Sequence, residues 1–389
     1  MLLGFLALLA FAPVYWLLVP VPWRQPVLIA VALSGLAWID PRALLIVLAA
    51  AVLAYGFTRT APGQPPRRRR LGAAAGLACL VVLFAWNKLT PHRDGLLPSQ
   101  AGLAVLGLSY LVLKLAALLV EAARTPGFAV RFPDLLLWLS FLPTYPSGPI
   151  EDLDHFRGQQ PVVSVARGLG AAERILFGLA KVLLGSHYLG QWLAPILTDP
   201  LAASAVELWL GMYGVAARFY LDFSGYSDIA IGLGALYGYE IEENFDWPFL
   251  RRNLVLFWQR WHMTLTRFLR VYLFVPVSRS LLRRKVPGGA AIFAGQLAAM
   301  LFCGLWHGLT WGFAFWGLTQ ALGLTWVGVA APRLGRRLPA PVVRWWRTSR
   351  AGYALSTLLT LQYFSATILF AAVDLQRGVA YLLALVGEW

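Results

Sequence analysis

Two histidines stand among residues that rarely accompany them. His307 lies in Cys303-Gly-Leu-Trp-His-Gly-Leu-Thr-Trp-Gly312, within an apolar stretch from 289 to 330 whose other ionisable side chain is the weakly acidic Cys303. An isolated polar residue in such a run reads as a functional site, with a histidine bonded to a neighbouring helix as the plain alternative. Gly304, Gly308 and Gly312 remove side chains around it, so another helix or a ligand can approach closely. His262 lies in Phe257-Trp-Gln-Arg-Trp-His-Met-Thr-Leu265. At helical spacing Trp258 and His262 share a face, with Thr266 a turn further on, while Arg260 and Trp261 point elsewhere. Taken alone, a histidine beside two tryptophans is a packing residue or part of an interfacial belt. The chemistry an imidazole offers is proton transfer near neutral pH, because its unperturbed pKa is about 6.5.

Two further segments set polar groups beside apolar ones. Asp222, Ser224, Tyr226, Ser227 and Asp228 crowd together next to long apolar runs. A carboxylate at the centre of a bilayer costs about 2.5–3.5 kcal/mol on insertion scales, so both aspartates must face protein, water or a partner. Pairing with arginines such as Arg218 or Arg260 is the structural reading, and direct chemistry the rarer one. In Phe141-Leu-Pro-Thr-Tyr-Pro-Ser-Gly-Pro-Ile150 the prolines and the glycine exclude a regular helix. That leaves a surface turn or a re-entrant corner lining a cavity, followed by Glu151, Asp152, Asp154 and His155.

The elements that must position these residues are membrane helices. Of 389 residues, 59% are hydrophobic and 13% charged, and the mean hydropathy is +0.65. A soluble domain is about half apolar and about a quarter charged, so this chain has too little polar surface to coat a water-soluble body. A soluble enzyme and a disordered chain are excluded. The formal charge of +15, from 33 basic and 18 acidic residues, comes in short clusters between apolar runs, which fits membrane topology and not nucleic-acid binding.

A spanning helix needs about 20 apolar residues. On that ruler spans fall at 2–22, 26–39, 42–57, 71–89, 101–121, 169–197, 205–221, 289–306, 309–331 and 351–373, with 132–150 and 222–275 as re-entrant or tilted pieces. Lipid tolerates such pieces where protein or water satisfies their backbone. The expected fold is an all-α integral membrane protein, a helical bundle of about 10–11 spans plus re-entrant segments, forming one polytopic domain over 1–389. The N-terminal run lacks a basic n-region and an A-x-A site and reads as a retained span. Residues 58–70 read as a flexible loop. Its Arg67 to Arg70, the group of Arg279, Arg283, Arg284 and Lys285, and the group of Arg333, Arg336, Arg337, Arg344, Arg347 and Arg350 go to the cytoplasmic side by the positive-inside rule, which puts both termini outside. Cys79 and Cys303 lie in apolar runs, so neither a disulfide nor a thiolate metal site is indicated. The histidines at 92, 155, 187, 262 and 307 show no ligand spacing, and no metal site is expected. No internal repeat is evident, which weakens an inverted-repeat transporter.

Taken together, DFSGYSDIAIGLGALYGYEIEENFDWPFLRRNLVLFWQRWHMTL (222–265) and GLWHGLTWGFAFWG (304–317) resemble the membrane-bound O-acyltransferase (MBOAT) family. The similarity is to its bacterial branch, which includes alginate O-acetyltransferases and the D-alanyl transfer proteins of teichoic-acid modification. FLPTYPSGPIEDLDHF (141–156) and residues 364–377 are similar too, so the likeness covers roughly 100–380. The resemblance implies that His307, the histidine of the WHG motif, is catalytic and that His262 is the second functional residue. It also implies a central funnel meeting a cytoplasmic channel, with donor and acceptor entering from opposite faces. Two positions depart from the family pattern. Val271 follows Arg270 where bacterial members commonly have aspartate, and Gln320 stands where many carry another histidine.

On this reading a hydroxyl attacks an acyl thioester, His307 takes its proton as general base, and His262 orients it or donates to the developing oxyanion. Trp258, Trp261 and Trp306 wall the path against water. Arg260, Asp222, Ser224 and Tyr226 join them as substrate-binding candidates. No covalently bound cofactor is expected. The donor is an acyl carrier protein phosphopantetheine thioester or acyl-CoA, the acyl group acetyl or D-alanyl, and the acceptor a glycan or wall polymer outside the bacterial inner membrane. Expected partners are the bilayer, a cytoplasmic acyl carrier protein and an extracytoplasmic acyltransferase. The alternatives are a polysaccharide or lipid transporter or channel without acyl chemistry, and an acyltransferase acting on lipid or protein hydroxyls.

Overall fold

The computed structural model describes residues 2–89, 105–159, 161–162 and 164–387; His92 and the first residues of the expected 101–121 span lie outside them. Among the described residues the regular secondary structure is all helical, with no strand. Within those residues five helices are long and apolar enough to cross a membrane: Pro41–Thr60, Pro66–Leu89, Gly288–His307, Trp311–Gly335 and Arg350–Ala372. The chain is an all-α integral membrane protein. Other apolar runs form shorter or interrupted pieces; the expected 169–197 span is Val165–Leu179, a π turn over Ala180–Ser186, and His187–Thr198.

Two local expectations are corrected. The loop at 58–70 shrinks to a 3-10 turn, Ala61–Gly63, and helix Pro66–Leu89 takes up Arg67 to Arg70 in its first turns. Proline is suited to a first helical position because its missing N–H would be unsatisfied there anyway. Residues 222–236 are not broken; they continue helix Ala205–Leu236, and irregular backbone begins at Tyr237. The helix carries its aspartates because each finds a partner. Asp228 pairs with Arg174 at 3.0 Å, and Asp222 accepts from the Ser186 hydroxyl at 3.3 Å.

The chain forms two compact units. The first comprises Met1–Phe177 and Tyr226–Glu242, the second Gly178–Gly225 and Glu243–Trp389. In the first, Leu108, Leu111, Leu113, Leu135, Leu137 and Trp138 are fully buried. The later segment is fastened to the N-terminal helix: the Tyr237 hydroxyl donates to Leu8 O at 2.7 Å and Trp16 Nε1 to Leu236 O at 2.6 Å. The proline-rich segment 141–150 is a buried corner and not a surface turn. Lys114 supports it, donating to Trp138 O at 3.0 Å and, at 3.5 Å, to the Thr144 hydroxyl. At its end the buried Glu151 uses both carboxylate oxygens. One accepts from Glu242 N at 2.7 Å, the other lies 3.2 Å from His155 Nδ1.

In the second unit the apolar stretch 289–330 folds back at its histidine. Helix Gly288–His307 ends there, and Thr310 opens the next helix by accepting from Phe313 N at 3.4 Å. A Cβ on Gly304 would collide with Phe313 O, one on Gly317 with Met300 O, and one on Gly312 with Phe370 O. The glycines therefore serve backbone-to-backbone helix packing.

Candidate active site

His262 does not lie on a helix continuous with Trp258. Helix Leu254–Trp258 stops, and His262 takes a left-handed conformation, φ 44° and ψ 56°, immediately before helix Met263–Leu269. The helical-spacing expectation for Trp258, His262 and Thr266 fails at this turn. A non-glycine residue there costs of order 1–3 kcal/mol and persists where its surroundings over-determine it. Asn244 supplies that constraint. Its backbone carbonyl accepts from Met263 N at 2.9 Å. Its side-chain oxygen accepts from Thr264 N at 3.3 Å and from the Thr264 hydroxyl at 3.0 Å, and lies 3.1 Å from His262 Nδ1.

The resulting imidazole is enclosed, with 2% of its surface exposed. Its Nε2 is buried and has no hydrogen-bond partner. Burial first, and then the neighbouring His307, hold its pKa well below the ordinary histidine value, so the ring is neutral. His262 lies off all five spanning helices.

An aromatic shell connects the two motif histidines. Phe223 meets His262 edge-on with centroids 4.5 Å apart. Trp306 lies 6.3 Å from His262 and 4.8 Å from His307. His307 also meets Trp316 edge-on at 5.9 Å, and Trp316 lies 5.9 Å from Trp258. Trp261 stacks on Phe257 at 5.4 Å and lies 5.0 Å from Phe364. Four expected residues, Trp258, Trp261, His262 and Trp306, are buried here. His307 differs from expectation: as the last residue of its helix it is exposed. The enclosure anticipated around His307 belongs to His262.

The remaining candidates are placed less centrally. Arg260 is exposed and pairs with Asp246 at 2.7 Å. Asp222 is exposed, whereas Ser224 is buried with its hydroxyl unpartnered. Tyr226 belongs to the first unit.

Sequence reasoning missed Asn244 and Trp316. Trp316 is buried with its indole N–H unpartnered. Gln320, noted as a departure, takes the Trp258 indole N–H at 3.2 Å and donates to the Thr367 hydroxyl at 2.8 Å, holding one wall of the shell. A signal for Asn244 was present: an amide in a short polar run just ahead of the histidine motif, where an asparagine that caps no helix needs other partners. The shell thus leaves two ring nitrogens without partners, His262 Nε2 and the Trp316 indole N–H, beside a solvent-exposed His307. That set can take a proton from one group and stabilise charge on another.

The chain is a helical membrane protein whose two motif histidines share one aromatic shell. The family model described as MBOAT, membrane-bound O-acyltransferase family, matches residues 82–333, and the chain belongs to that family. Among curated relatives, the probable alginate O-acetylase AlgI of Azotobacter vinelandii is 31% identical over 254 residues, covering 60% of this chain and 47% of that protein. The peptidoglycan O-acetyltransferase of Helicobacter pylori is 27% identical over 263 residues, 66% of this chain and 47% of that one. The teichoic acid D-alanyltransferase of Streptococcus thermophilus is 30% identical over 257 residues, 63% and 61% respectively. The match spans about half the length of the first two relatives.

Proposed function

We propose that this chain is an O-acyltransferase that moves an acetyl or D-alanyl group from a cytoplasmic thioester to a hydroxyl of a polysaccharide or cell-wall polymer outside the bacterial inner membrane. The observation that carries this reading is the enclosed His262, whose Nε2 lacks a partner in the aromatic shell it shares with His307. Leaving a buried acceptor unmatched costs about 1–3 kcal/mol, which a bound hydroxyl would recover. Relatives named for acetylation of alginate and peptidoglycan and for D-alanylation of teichoic acid agree with it.

In the reaction the acceptor oxygen attacks the thioester carbonyl carbon while its proton passes to an imidazole. The C–S bond then breaks, and the leaving thiolate takes up the proton. A positioned base contributes about 10² to 10⁴-fold to such a step. Trp258, Trp261 and Trp306 exclude water that would hydrolyse the thioester. The donor is an acyl carrier protein or acyl-CoA reaching the cytoplasmic face, where the three arginine clusters lie, and both termini are extracytoplasmic. An outer-face acyltransferase completes delivery in the acetyl version.

The test compares surface polymer by mass spectrometry from cells with the gene, without it, and with His307→Ala, alongside thioester consumption by the purified protein. Loss of the acyl modification and of thioester turnover in the variant is expected. Unchanged acylation in the His307→Ala strain would end the proposal. A transporter would keep moving polymer with both histidines replaced and would consume no thioester.

A further inference from the structure

Asn244 is fully buried, and its side chain is oriented by an unambiguous donor. The backbone N–H of Thr264 can only donate, so the Asn244 atom facing it is the carbonyl oxygen. The same oxygen lies 3.1 Å from His262 Nδ1. The Thr264 N–H and hydroxyl also converge on this oxygen, which carries only lone pairs, so an unprotonated Nδ1 would face it lone pair to lone pair and the contact is attractive only if Nδ1 carries the ring proton. In a neutral imidazole the other nitrogen is then a pure acceptor. That nitrogen, Nε2, is the buried atom without a partner.

We infer that Asn244 is a positioning residue which fixes His262 as its Nδ1–H tautomer, so that Nε2 presents its lone pair to the acceptor hydroxyl and takes that proton during acyl transfer. This deepens the proposed function and rests on it for the identity of the hydroxyl. It reassigns a role, because a neutral His262 with Nδ1–H committed to Asn244 has no second N–H to offer an oxyanion. As the oxygen–carbon bond forms, the hydroxyl O–H breaks and Nε2–H forms. The imidazolium so produced is supported by the Asn244 carbonyl, and it returns the proton to the thiolate when the C–S bond breaks.

The experiment uses full-length protein in nanodiscs, labelled with ¹⁵N-histidine. His262 signals are identified by their loss in His262→Gln. In the unaltered protein His262 should show a protonated Nδ1 and an unprotonated Nε2. Asn244→Leu should scramble that pattern and lower kcat by about 10²-fold or more, the lower end of what a placed base supplies, with KM for the thioester changed by a few-fold at most. Asn244→Asp keeps the acceptor geometry and decides the matter if the leucine variant does not fold. It should retain transfer, but its carboxylate favours the imidazolium, so the acidic limb of the kcat profile should move to higher pH. A protonated Nε2 in the unaltered protein would overturn the inference, as would full kcat in folded Asn244→Leu or an unmoved acidic limb in Asn244→Asp. If the unaltered protein transfers no acyl group, the functional reading fails instead, and the nitrogen spectrum still reports the tautomer.

Discussion

The two units each bury a polar cluster, and the clusters are completed differently. In the first, both oxygens of Glu151 have partners in the chain, Glu242 N and His155 Nδ1, and the Lys114 ammonium reaches a carbonyl and a hydroxyl. In the second, Asn244 satisfies one nitrogen of His262 and the other meets nothing. Both clusters pay the cost of taking polar groups out of water. Where the chain matches its own groups, the cluster holds backbone in place, here the irregular corner at 141–150. Where one ring nitrogen is left unmatched, as at His262, the position is open to a group from outside, and this is where the proposed acceptor hydroxyl would bind.

The largest effect tests the second cluster. His262→Ala and His307→Ala should each lower acyl transfer by about 10²-fold or more, with folding intact by size-exclusion chromatography. The double variant should fall little below the worse single one, because groups serving one step are not additive. Multiplicative losses would mean that the two rings act independently. Next, Lys114→Met should destabilise the first unit by about 1–3 kcal/mol in thermal melts, by leaving the Trp138 carbonyl buried without its donor. A melt equal to the parent's would move Lys114 out of the scaffold.

The third prediction concerns pH. Burial pushes the Glu151 carboxyl from 4.5 up to about 7, assisted by the Glu242 charge and opposed by the Glu242 N–H, His155 and Lys114. The folded chain therefore holds this proton more tightly than the unfolded one. The stability it contributes is complete below about 4.5 and is lost as pH rises through about 7. Melting temperature should decline across that window, and Glu151→Gln should flatten the decline; a variant with the parent's slope would place its origin elsewhere. The smallest effect is expected for Arg260→Ala. Its pairing with Asp246 is solvent-screened, with side chains 45% and 38% exposed, and removal should cost below about 1 kcal/mol in the same melts. A larger loss, or a selective rise in KM, would return Arg260 to the substrate path.

Hydropathy made the helical class legible and the ends of two long spans, 289–306 and 351–373, which fall within a residue of Gly288–His307 and Arg350–Ala372; 42–57, 71–89 and 309–331 miss an end by several residues. It did not reveal the corners, because these are set by partners distant in sequence. The turn at His262 depends on Asn244, and the corner at 141–150 on Lys114 and Glu242. A period of 3.6 assumes helical backbone, and at φ 44° that assumption ends. The glycines around His307 suggest room for a helix or a ligand; backbone carbonyls fill it at Gly304 and Gly312, and the Phe313 ring fills it at Gly308. The pairing of His262 and His307 in one shell came from the family resemblance; the tautomer needed atoms.

The first unit is discontinuous in sequence, and this has a consequence for biosynthesis. Glu151 waits for an N–H that lies at Glu242, and Leu8 for a hydroxyl at Tyr237. A ribosome adding about 5–20 residues per second emits the start of the second unit before it delivers those groups. The earliest helices therefore lack these partners while later ones emerge, so a truncation between 177 and 226 would release a nascent chain with the Glu151 carboxyl uncovered.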